Sequence, residues 1–168
     1  MAVTTQESTE YTNAFSTVPD VKNDSHDWHG RLRIAYFTHN QSGAGDATSS
    51  VALCKLPAGK VRLLLRSSEA YVNWTTASAT LDLGWDAYTD ENGDAVAADP
   101  NGLLAGEAVD TVNYYNLAGS DLTKSVTEAT GGTYEFNSED GVVIRATSQT
   151  TAIADDDDLV GYLVYVVD

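Results

Sequence analysis

From Leu32 onward, apolar and polar residues alternate, the pattern of a strand with one buried and one wet face. Leu32, Ile34 and Tyr36 fall on one face, Arg31 and Arg33 on the other, and the apolar trio is expected to point inward. Residues 50–56 form a second apolar strand. Pro57-Ala58-Gly59 then turns the chain back into a third, where Val61, Leu63 and Leu65 alternate with Arg62, Leu64 and Arg66. Residues 79–85 repeat the pattern, with Leu81, Leu83 and Trp85 against Thr80, Asp82 and Gly84. Further strands are predicted at 133–136 and 142–147. The segment from Leu159 to Val167 is apolar on both faces, as a strand in the middle of a sheet must be.

Two segments break the rhythm. Residues 86–102 collect Asp86, Asp90, Glu91, Asp94 and Asp99 among Asn, Gly and Pro, and read as a long acidic loop. After it, Leu103, Leu104, Ala108 and Val112 fall near a spacing of 3.6, which predicts a short helix over 103–116. Residues 1–28 keep neither period. Their polar run with scattered Tyr11, Phe15, Val18 and Trp28 reads as an extended N-terminal arm ahead of a β domain spanning 29–168. About seven short strands separated by Gly-rich turns make the fold mainly β, an antiparallel β-sandwich or barrel.

Charge sharpens this picture. The chain of 168 residues carries a net charge of −16. Six of its nine basic residues, Arg31, Arg33, Lys55, Lys60, Arg62 and Arg66, lie within residues 31–66, where Asp46 is the single acid, so this stretch is +5 and the remainder −21. A strand reading gathers these bases on one face, and Arg31, Arg33, Lys60, Arg62 and Arg66 are the expected interface. The acidity elsewhere argues against nucleic acid as a partner, because phosphate contacts need a broad positive surface. Neither a secretory leader nor an apolar run of about 20 residues is seen, so the expectation is a protein made in a cytoplasm with no membrane partner.

Candidate chemistry is sparse. Cys54 is the single cysteine and sits in the apolar run Val51-Ala52-Leu53-Cys54, where a buried thiol is expected. Aligning Asp90, Asn92 and Gly93 with a calcium loop puts Tyr88 at the first ligand position and Asp99 where a Glu belongs. The expectation is therefore a solvated turn. The Asp155–Asp158 run is read the same way. His26, His29 and His39 lack partners for a zinc site, and no phosphate loop, nucleophile elbow or metalloprotease motif occurs. No catalytic residue, metal or cofactor is expected, and the protein is read as a non-enzyme. Tyr71, Trp74 and Trp85 open a carbohydrate-binding alternative, although Trp85 continues the apolar face of Leu81 and Leu83.

One arrangement resembles a known group. Leu53-Cys54-Lys55-Leu56-Pro57-Ala58-Gly59-Lys60-Val61 and Ala79-Thr80-Leu81-Asp82-Leu83-Gly84-Trp85 are followed by an acidic loop. Gly141-Val142-Val143-Ile144-Arg145-Ala146-Thr147 precedes an acidic turn and Gly161-Tyr162-Leu163-Val164-Tyr165. Together these resemble tailed-bacteriophage virion structural proteins over roughly residues 50–167. The resemblance implies a jelly-roll-like sandwich and a head decoration (cement) protein, located on the capsid surface of the virion. It further implies the major capsid protein as partner, self-association as a homotrimer, and no catalytic residues. The alternative is a carbohydrate- or receptor-binding module of a phage tail or fibre.

Overall fold

The computed structural model describes residues 31–117 and 133–167. The arm expected over 1–28 lies outside them. The described chain runs through β1 (Leu32–Asn40), β2 (Ser50–Leu56), β3 (Gly59–Leu64), β4 (Glu69–Asn73), β5 (Thr80–Trp85) and the short β6 (Tyr88–Thr89) and β7 (Ala95–Val96). It continues through β8 (Asp99–Ala108), β9 (Asn113–Asn116), β10 (Thr133–Ser138), β11 (Val142–Ser148) and β12 (Asp158–Val167). The protein is mainly β, in antiparallel sheets.

β12 is the spine of the larger sheet, as its two apolar faces predict. β1 pairs with its whole length, from Leu32 opposite Val166 to Asn40 opposite Asp158. Its other flank is shared: β4 takes Asp158 to Tyr162 and β3 takes Tyr165 to Val167. β3 and β4 are thus one bent strand, interrupted by a single 3-10 turn at Leu65–Ser67. β10 extends the sheet beyond β3 and β9 extends it beyond β4. The second sheet has the order β2-β11-β5-β8.

The sheets face each other across one core. Val61, Leu63, Phe136 and Leu163 come from the first, and Leu81, Leu83, Ile144 and Ala146 from the second, all buried in a single cluster. Each such large side chain contributes about 1.5–3 kcal/mol through removal from water. An aromatic group bridges the layers at one end. The ring of Trp85 lies 4.5 Å from Tyr134 and 5.2 Å, edge-on, from Phe136. Two buried carboxylates are satisfied within the fold. Asp157 accepts from the Thr75 amide and hydroxyl and from the Ala154 amide, and Asp82 accepts from the Gly106 amide and Gln149.

Three expectations are corrected. The helix predicted over 103–116 does not form; β8 and β9 occupy that stretch. β8 pairs with β5 through two register shifts, Leu83 facing Leu104 and Trp85 facing Asp99. These bulges let the adjacent Leu103 and Leu104 both be buried, which imitates helical spacing in the sequence. The acidic segment 86–102 is not one loop, since it holds the β6–β7 hairpin and the start of β8. Finally, Leu32, Ile34 and Tyr36 face outward and are 66%, 49% and 72% exposed, whereas Phe37 and Ala35 of the same strand meet the core. A one-residue difference in which alternate set turns inward reverses both faces.

Candidate docking face

The register of the larger sheet fixes which side chains share its outer face. One row runs Leu32, Val166, Arg62 and Glu135 across β1, β12, β3 and β10. Another runs Tyr36, Tyr162, Glu69 and Asn116 across β1, β12, β4 and β9. The next runs Thr38, Val160, Tyr71 and Tyr114. Ile34 lies opposite Val164 between the first two. This face is therefore aliphatic and tyrosine-rich. Its rings pair along the rows, with centroids 6.1 Å apart for Tyr36–Tyr162 and 5.1 Å for Tyr71–Tyr114. The Tyr162 hydroxyl donates to Glu69 at 3.2 Å; burial first, and then the Glu69 charge, hold its pKa above the ordinary tyrosine value.

The expected basic residues are not on one face. Lys60 and Arg62 lie on β3, on the outer face, and both meet Glu135, at 3.6 and 3.3 Å. Arg33 falls in the row of Tyr165 and Leu63, whose Leu63 is core, so it points to the opposite side of the sheet at the open edge. Arg31, also exposed, precedes β1. Arg66 sits in the turn between β3 and β4, where its carbonyl accepts from Asn116. Lys55 is on β2 in the other sheet. The bend after Leu64 and the packing of two sheets scatter bases that are close in sequence. The tyrosine face itself was missed for two reasons. Its residues come from four strands distant in sequence, and the alternation in β1 was assigned to the wrong side.

The other candidates resolve into structure. Cys54 is half-buried against the core, and burial pushes its thiol up to about 11, so it is neither thiolate nor nucleophile near neutral pH. The Asp90 carboxylate accepts from the Asn92 amide at 2.9 Å and the Asp94 amide at 2.8 Å, closing the β6–β7 turn. Those bonds, the Asp94 amide first, hold its pKa below the ordinary value. Among the described residues, no group of three or more His, Cys, Asp and Glu is placed to hold a metal ion. His39 lies on β1 with its ring 3.1 Å from the Gln41 side chain. Trp74 and Trp85 are both core, 4% exposed, and present no sugar platform. On the outer side of the second sheet, Arg145 makes a two-pronged pair with Asp86, 2.6 Å at each contact. No helix among the described residues is long and apolar enough to cross a membrane.

No protein-family model matches the sequence, and no curated protein matches it. Solved structures do. A chain of the cyanophage Pam1 capsid asymmetric unit superposes with a TM-score of 0.52 at 14% identity, covering 88% of this chain and 93% of that one. The two share a fold. The VP2 subviral particle of infectious bursal disease virus gives a TM-score of 0.44 at 9% identity, over 82% of this chain and 33% of that one. The capsid of Helicobacter pylori bacteriophage KHP30 gives 0.34 at 10% identity, over 79% and 94%. At those lower scores the last two add nothing to the fold assignment.

Proposed function

We propose that this chain is a structural, non-catalytic virion protein of a tailed phage, a decoration (cement) protein that binds the major capsid protein and stabilises the head lattice as a homotrimer. The observation that carries the reading is the Pam1 likeness, which runs nearly end to end on both chains and so pairs two proteins of similar size. The strand order supports the jelly-roll expectation: four strand positions, β1, β12, β3 with β4, and β10 with β9, face the order β2-β11-β5-β8. Antiparallel double-sheet packing with such crossovers is the architecture of capsid jelly rolls. Many weak contacts on a repeating shell then add up through multivalency, which needs no enzyme site.

Mass spectrometry of density-purified virions tests this proposal. The chain is expected as a stoichiometric component that remains after washing at high salt. Its absence from intact virions would overturn the proposal. A glycan array on the same preparation reads the tail- or fibre-module alternative, and specific glycan binding would favour that alternative instead.

A further inference from the structure

We propose that the outer face of the six-stranded sheet is the seat of a second copy of this chain. The inference deepens the virion role and rests on that reading for the idea that copies stand side by side. Its first support is composition. Leu32, Ile34, Tyr36, Val160 and Tyr114 are all exposed on this side of the sheet, with Val164 and Val166 buried beside Ile34 and Leu32. Scattered surface apolar residues are ordinary, but a contiguous patch rich in tyrosine is the composition of an interface centre.

Charge selects the occupant. The chain carries −16, yet among the described residues this face sets Lys60 and Arg62 against Glu69, Glu135 and, in its end row, Asp158, two positive charges against three negative, a local sum of −1. The acids crowd elsewhere, in residues 86–99 after β5 of the other sheet, and at the end of the face, where Asp155, Asp156 and Asp157 precede β12. A cationic partner would be drawn to those acidic segments. Two copies that repel each other meet at least cost where the local charge is closest to balance, and there apolar rows meet apolar rows. Size agrees with a lattice contact. Nine residues of β1 at about 3.3 Å and four strand positions at about 4.8 Å span roughly 30 by 19 Å, or about 570 Å². That is below the roughly 800 Å² per partner of a standard interface, so one pair is weak and several held together are firm.

Sedimentation velocity on the full chain tests the assignment. The wild type is expected to rise above monomer mass with concentration, and further with added sodium chloride, which screens the repulsion. Ile34→Glu with Tyr36→Glu is expected to remain monomeric, while Lys55→Glu, exposed on the other sheet, behaves as wild type. Melting at high dilution is expected to be the same for all three. If the double variant melts lower, Tyr114→Glu at the far edge of the face supplies the same readout. A wild type monomeric at every concentration, or face variants that associate like it, would overturn the inference. A monomeric wild type that still binds capsids would overturn it and leave the virion role standing.

Discussion

Arg62 has a carboxylate directly across the strand pair from it, and that fact decides what a charge reversal there would do. Its side chain is 15% exposed and meets Glu135 at 3.3 Å, with Lys60 on the same acid. Arg62→Glu would set two carboxylates opposite each other, so it is expected to cost about 1 kcal/mol of stability and lower the melting temperature by a few degrees. An unchanged melt would show that the pair is idle. The Asp86–Arg145 pair carries a pH signature. The hydrogen bond from Arg145 holds the Asp86 carboxyl below its ordinary value of 3.8. Its contribution is therefore fully present above 3.8 and is lost as pH falls through the lowered value. Arg145→Ala is expected to cost under about 1 kcal/mol at pH 7, as partly exposed pairs do, and the difference from wild type should vanish in strong acid. A difference that stays constant with pH would contradict the pair's role. Cys54 gives a third test. With its pKa at about 11, only about one thiol in a thousand is ionised at pH 8. Disulfide-exchange labelling is expected to be far slower in the native protein than in denaturant, and equal rates would contradict the burial.

At the scale of elements, the bulged β8 is the instructive case. Gly84 of β5 lies against it so closely that an added Cβ would stand 1.9 Å from the Asp99 carbonyl oxygen and 2.4 Å from the Pro100 carbonyl carbon. Backbone cannot yield as a side-chain tip can, so Gly84→Ala is expected to destabilise the fold by several kcal/mol, read in urea unfolding. A neutral substitution would mean that β8 is free to shift. The same bulges explain why the sequence suggested a helix there. Period-2 alternation is a reliable sign only while the ladder is regular, and two register shifts rewrite it as an approximate period of 3.6. Strands with regular pairing were legible. Leu81, Leu83 and Trp85 point inward as their alternation predicts, and the doubly apolar Leu159–Val167 is flanked on both sides. β1 carries two apolar sets, Leu32, Ile34, Tyr36 and Ala35, Phe37. Alternation alone does not say which of them meets the core.

For the whole molecule, the layered β architecture was legible in the sequence, and the tyrosine-rich outer face was not. A face is made by pairing, and the pairs that make this one join residues about 40 to 130 positions apart, Tyr71 with Tyr114 and Leu32 with Val166. Linear clustering of bases therefore misled, because neighbours at 55, 60 and 66 end up on a strand of one sheet, a strand of the other and a turn. The most direct measurement of the proposed role is binding to empty, expanded phage heads prepared without the chain, monitored by the bound mass and the melting of the heads. Saturable binding at a fixed number of copies per head and a higher head melting temperature are expected. Heads that bind no protein at saturating concentration, and melt unchanged, would contradict it.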